Sequence, residues 1–209
     1  MDILLFGATG GTGRHLLTAA LEAGHHVTAL VRHADRVGVR HERLRVVVGD
    51  ATDASWVAAL VAGKDAVLSA LGAPAVRRTR VREEATREQV AAMTRHGVRR
   101  LISLSSHGVG DSASTLPWLM RWVVVPFYLR GVFADHDAQE ALVRASDLDW
   151  TLVRPTHLSD GPATGAYHVG FHELPRGSRV AVSRADVAAF MLGQLEDRTY
   201  LRQPVSITS

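Results

Sequence analysis

The first residues with a spacing that can do chemistry are glycines. Gly7-Ala8-Thr9-Gly10-Gly11-Thr12-Gly13 follows the apolar run Ile3–Phe6 and opens a helical pattern, so Gly7, Gly10 and Gly13 recur as G-x-x-G-x-x-G. Between a strand and a helix, such a loop cradles a pyrophosphate. Gly7 permits the tight turn, Gly10 lets backbone approach the anion, and Gly13 lets the helix pack closely on the strand. Free N–H groups and partial positive charge at the helix start complete the cradle. The expected ligand is a dinucleotide. The end of the second strand decides which one. It runs Leu30-Val31-Arg32-His33, with Arg36 following, where an acidic residue would bond a ribose 2′-hydroxyl. A guanidinium suits a 2′-phosphate instead, so NADPH is expected ahead of NADH, with Asp35 a weaker competitor.

Further candidates follow the later strands. Asp50, after Leu44–Val48, falls where an adenine would lie, or caps the turn behind it. Leu71 and Gly72 border the expected nicotinamide ribose. Ser103, Ser105, Ser106 and His107 follow the fifth strand, and Thr156, His157 and Asp160 the sixth. Carboxyl ends of strands are where open α/β sheets bind ligands. Ser105 and Ser106 either take part in catalysis or satisfy backbone groups at a strand end. His157 is either a catalytic group or a loop histidine bonded locally. A Tyr-x-x-x-Lys pair cannot form: Lys64 is the sole lysine, and none of Tyr128, Tyr167 and Tyr200 has a lysine four residues on. No G-x-S-x-G elbow is present, which disfavours a hydrolase triad. Without cysteine there are no disulfides, thiolate sites or thiol nucleophile. His136-Asp137 reads as a helix cap rather than a metal site, and no metal is expected.

These residues need a scaffold that gathers strand ends. Apolar runs at Ile3–Phe6, Val27–Val31, Leu44–Val48, Ala66–Leu71, Arg100–Ser105, Trp150–Arg154 and Val205–Thr208 alternate with helical patterns. The helices are expected over Gly13–Ala23, Ser55–Ala62, Glu83–His96 and Asp135–Ala145. A last one is capped by Ser183, with Asp186 in the capping-box position. The pattern predicts an α/β Rossmann fold: a doubly wound parallel sheet with helices on both faces. One domain spans 1–209, with substrate-pocket elements in 106–133 and 155–182. The net charge is only +3. The densest basic run, Arg77 to Arg82, has no aromatic neighbour and reads as a solvated loop or helix start, so no nucleic-acid partner is expected. The longest apolar stretch, Trp118 to Phe133, is interrupted by Arg121, Pro126 and Arg130 and falls short of the roughly 20 residues of a membrane span. With no leader before Asp2, the expectation is a cytoplasmic protein without a membrane partner, a monomer or homodimer acting on a small molecule.

The assembled motifs resemble the atypical short-chain dehydrogenases. Within them they are closest to biliverdin-IXβ reductase/flavin reductase and the NmrA-like NAD(P)H-binding proteins. The carrying segments are Phe6–Gly13, Leu30–Arg32, Val47–Asp50 and, most specifically, the run from Arg154 to Tyr167. The resemblance implies that Gly7, Thr9, Gly10, Thr12 and Gly13 take the pyrophosphate and Arg32 the 2′-phosphate. Asp50 and Ala51 would contact adenine, and Leu71 and Gly72 the nicotinamide ribose. Ser106 would stand near the nicotinamide with Ser105 beside it, and His157 would line the substrate side. His107 and Tyr167 join the expected substrate pocket. Such reductases pass hydride to a flat conjugated acceptor such as a flavin or bilin, and a quinone-like acceptor fits the same reading. The chain departs from the resemblance at 116–133, which is longer and more apolar. There Trp118, Trp122, Phe127 and Tyr128 either stack a planar ligand, pack in the core or form a dimer surface. Two other functions suit the fold: a non-redox cyclase, isomerase or dehydratase, and an NmrA-like redox sensor.

Overall fold

Among the described residues, short apolar runs become ten strands: β1 (Asp2–Phe6), β2 (His26–Val31), β3 (Leu44–Val48), β4 (Ala66–Ser69), β5 (Arg100–Leu104), β6 (Asp149–Pro155), β7 (His157–Ser159), β8 (His168–Val169), β9 (Ala181–Ser183) and β10 (Gln203–Thr208). Five α-helices among the same residues separate them: α1 (Gly11–Glu22), α2 (Ala54–Val61), α3 (Val81–His96), α4 (Arg130–Arg144) and α5 (Arg184–Gly193). This computed structural model describes residues 1–72, 80–171, 174–175, 177–178 and 180–209. The main sheet has the order β3-β2-β1-β4-β5-β6-β10-β8, and β7 pairs with β9 in a small second sheet. From β3 to β10 neighbouring strands run parallel, while β8 is antiparallel to β10 at the edge. Strand order reverses direction at β1. A crevice therefore opens beyond the carboxyl ends of β1 and β4, where Phe6 lies beside both Leu30 and Ser69.

Both faces of the sheet are covered. Leu16, Leu17 and Ala20 of α1 and Val187 and Met191 of α5 close one core. Val57 and Val61 of α2, Met93 of α3 and Val143 of α4 close the other. The central strands β1, β4 and β5 are buried nearly throughout, as their apolar sequences require. β3 differs from the expectation of a strand buried on both faces. It is the edge strand, and Val46 and Val48 are exposed.

Three local corrections bear on the site. First, α4 begins at Arg130 rather than Asp135, because it continues a π-helix over Met120–Leu129. Pro126 sits inside that π-helix. Its ring lacks an N–H and clashes with the carbonyl four residues back in an α-helix, which a wider turn relieves. His136 and Asp137 consequently lie within α4 and do not cap it. Second, Asp135 caps a different helix: its carboxylate accepts from the backbone N–H of Arg82 at 3.3 Å and of Glu83 at 3.0 Å, at the start of α3. Third, Arg82 is buried and paired with Asp135 at 3.0 Å, so this end of the basic run is not solvated. Arg77 to Thr79 lie outside the described residues. The Ser183 cap is as expected, with Asp186 N–H donating to its hydroxyl at 2.9 Å.

Candidate active site

The loop after β1 has no room for side chains at two of its glycines. Gly7 adopts φ +79°, and a Cβ there would stand 2.3 Å from the Ala70 carbonyl oxygen. A Cβ on Gly13 would stand 2.0 Å from the Gly7 carbonyl oxygen. The end of β4, the loop and the first turn of α1 thus meet backbone to backbone. A cavity of about 1020 Å³ opens above this junction. Gly7, Thr9, Gly10 and Thr12 line it in the middle. Arg32, Arg36, Asp50 and Ala51 line the end beyond β2 and β3, while Leu71, Gly72, Ser105, Ser106, His107 and His157 also line it. Gly13 does not line the cavity; it is buried behind Gly7. Asp50 accepts from both the N–H and the hydroxyl of Thr52 at 2.9 Å, so it braces its own turn while facing the cavity. A glycine-rich cradle and two exposed guanidiniums fit a phosphorylated dinucleotide.

The polar groups beyond β5 are more constrained than their types suggest. Ser105 donates its hydroxyl to Glu140 at 2.6 Å, and Glu140 also holds Arg154 through two contacts at 2.8 and 2.6 Å. The Ser105 hydroxyl lines the cavity while tied to this buried Glu140–Arg154 pair. Arg154 also bonds Asp111 at 2.9 Å. His107 is buried between two hydroxyls, Ser206 at Nδ1 and Thr115 at Nε2, each at 3.1 Å. The Thr115 hydroxyl donates to the Ser112 carbonyl, so His107 Nε2 carries the proton and Nδ1 accepts. Burial first, and then the Arg154 charge, lower its pKa. Ser106 is less constrained, its hydroxyl donating to the His107 carbonyl at 3.2 Å. His157 is exposed on the cavity edge.

The segment after β5 forms the apolar wall. Leu116, Pro117, Met120, Leu129, Val132 and Phe133 line the cavity. The aromatic residues expected to stack a ligand do not. Trp118, Trp122, Phe127 and Tyr128 fall off the lining and are 65–78 % exposed. The helical turn gives the inner face to these six apolar residues, Phe133 its one aromatic, and turns the four rings outward. Tyr167 also misses the cavity: it packs against the core, edge-on to Phe190 at 6.0 Å.

Several lining residues escape a reading of strand ends. Arg184, the first residue of α5, bonds Asp160 at 2.7 Å and lies where a Gly11 Cβ would come within 2.6 Å of its Nε. Gly11 is the loop glycine that the three-residue spacing does not require, and this contact accounts for it. Arg82 and His136 line the cavity from α3 and α4. His136 bonds the Gln139 side-chain oxygen through Nδ1 at 3.1 Å, so that nitrogen donates and Nε2 is left as an acceptor. Burial, with Arg82 second, pushes its pKa down to about 4. Between about pH 4 and 6.5 the unfolded chain binds a proton at this ring and the folded chain does not. Stability therefore falls as pH drops through that window. The urea midpoint is expected to decline there, with a clearly shallower decline in His136→Gln. His107 adds a smaller slope of the same sign in both proteins. An unchanged slope in the variant would refute the assignment.

Comparison with known proteins decides the family. A family model for NAD(P)H-binding proteins matches residues 7–198, from the first loop glycine to beyond α5. The chain belongs to the NAD(P)H-binding family. The Bacillus subtilis protein YwnB is 26% identical over 215 residues, covering 100% of this chain and 99% of that one. A 3-diazoavenalumate denitrifying reductase from a Streptomyces species is 38% identical over 117 residues, covering 50% of this chain but only 38% of that protein. Among solved structures, the anaerobillin reductase ChuY of Escherichia coli superposes with a TM-score of 0.81 at 30% identity, covering 99% and 96% of the two chains. The Rossmann architecture expected from the motifs is the observed one, and the named likenesses include reductases.

Proposed function

We propose that this NAD(P)H-binding protein is an NADPH-dependent reductase of a flat conjugated small molecule such as a flavin, bilin or quinone-like ring. The observation that carries the reading is the continuity of one cavity. It runs from Arg32 and Arg36, past the glycine loop, to an apolar wall, with Ser106 and His157 along it. The resemblance to ChuY supports the reductase class. When bound, a reduced dinucleotide would supply the hydride and be left oxidised, with the acceptor's proton drawn from solvent. The protein's part is alignment and exclusion of water. Leu71 and Gly72 border the reacting end, and Ser106 and His157 are the side chains available to orient the acceptor or pass a proton from solvent.

Two arginines separate the contributions to cofactor binding. Arg32→Ala is expected to weaken NADPH by about tenfold to a hundredfold, as for a lost hydrogen bond to a charged group, and to leave NADH nearly unchanged. Arg184→Ala is expected to weaken both dinucleotides by the same factor, because its side chain lies over Gly11 in the pyrophosphate loop. Titration of each variant with both cofactors reads this directly. Oxidation of NADPH by the purified protein, followed by loss of the reduced nicotinamide's absorbance with FMN, a bilin and a quinone offered separately, tests the activity. Turnover with one acceptor supports the reading. Tight NADPH binding with none would favour non-redox catalysis or sensing, and no binding would end it.

A further inference from the structure

The segment that walls the cavity has a second face. Between Ser112 and Ala134 the chain carries Arg121 and Arg130 and no acidic residue. Trp118, Leu119, Trp122, Val123, Phe127 and Tyr128 are all exposed on it, several by two thirds or more. Arg121 stacks its guanidinium on Trp122 at 5.3 Å. Leu116, Pro117, Met120 and Leu129 of the same segment line the cavity. One turn of chain thus separates the acceptor end of the cavity from an exposed apolar, basic surface.

We propose that this face seats the protein on an anionic lipid bilayer, from which an apolar acceptor enters the cavity past the 116–133 segment. The acceptor clause rests on the reductase reading; the surface does not. Tryptophan, tyrosine and arginine are the side chains that settle at the headgroup level, with apolar bodies toward the acyl chains and polar groups in water. A peripheral helix of this kind binds through buried apolar area and attraction to anionic lipid. The charge pattern argues against a second copy as occupant. Two-fold pairing would bring the same two arginines together with no carboxylate in the segment to neutralise them. The proposal departs from the expectation of no membrane partner. The mode is peripheral, since among the described residues no helix is long and apolar enough to cross a bilayer.

Sedimentation with vesicles tests the surface without any turnover. The protein is expected to pellet with phosphatidylglycerol–phosphatidylcholine vesicles, to release in high salt, and to stay in solution with phosphatidylcholine alone. Trp122→Ser/Phe127→Ser and Arg121→Glu/Arg130→Glu are each expected to partition at least tenfold less. Both should keep wild-type dinucleotide binding and wild-type rates on a water-soluble acceptor, because these side chains do not reach the cavity. A long-chain acceptor dissolved in the vesicles should be reduced quickly by wild type and slowly by both variants. Wild-type protein that never pellets overturns the proposal. So does a dimer by ultracentrifugation that the same substitutions dissociate. Pelleting without NADPH oxidation by any acceptor would remove the reductase reading and leave the lipid surface standing.

Discussion

Gly13→Ala is expected to abolish useful dinucleotide binding and to destabilise the fold. The added methyl would meet backbone on every side: the Gly7 oxygen at 2.0 Å, the Gly7 carbonyl carbon at 2.7 Å and the Ala8 Cα at 3.2 Å. No rotamer relieves a clash with backbone, so α1 must move away from β1 or the loop must open. Overpacking of this kind costs about 1–3 kcal/mol, and the rigid surroundings place this variant at the upper end. The binding loss should be of similar size in free energy. Displacing the first turn of α1 misdirects the N–H groups that meet the pyrophosphate, and roughly a hundredfold weaker binding corresponds to only about 2.8 kcal/mol. Gly38→Ala is the control, because a Cβ there meets nothing within 4 Å. Calorimetric titration of NADPH and urea unfolding on both variants give the comparison. A Gly13→Ala protein that binds like wild type would show that the loop adapts.

Glu140→Ala should be the most destabilising single change at the acceptor end. Glu140 is buried, and its removal leaves Arg154, only 2% exposed, with Asp111 as its remaining carboxylate. The Ser105 hydroxyl loses its acceptor as well. Breaking one partner of a buried pair typically costs about 3–5 kcal/mol, because the surviving charge stays out of water. The same reasoning predicts that Glu140→Leu/Arg154→Met is much less damaging than Glu140→Ala, since no charge is stranded. Urea midpoints of the three proteins separate the cases. A loss below about 1 kcal/mol in Glu140→Ala would mean that water reaches the arginine.

The sequence was most informative where backbone geometry demands a residue type. Gly7 and Gly13 are fixed by close contacts with Ala70 and Gly7, so their spacing announced both the fold and the cradle. The alternation of apolar runs and helical patterns carried the parallel sheet for the same reason: central strands buried on both faces have little choice of composition. Legibility fell where partners are distant along the chain. Arg184 reaches Gly11 from the far end of the chain, and nothing local marks that approach apart from a glycine more than the loop needs. Arg154 was a missed signal. A charged residue ending the apolar run Trp150–Val153 requires a buried partner, but sequence alone did not say that Glu140 supplies it. The aromatic residues of 118–128 were legible as unusual and not as outward-facing. Pro126 shifts the segment into a π-helix, and the period that assigns faces shifts with it.

The carboxylate of Asp135 has a consequence for how the chain reaches this structure. Helix α3 brings no side-chain cap of its own, and two of its first N–H groups find their acceptor 53 and 52 residues downstream. Helix nucleation is costly, and most helical stability in a protein comes from packing against neighbours. The start of α3 is therefore completed only once α4 has docked beside it. Closing so long a loop is slow compared with forming either helix alone. The half built from β1 to β4 does not wait on that contact, whereas the capped start of α3 does.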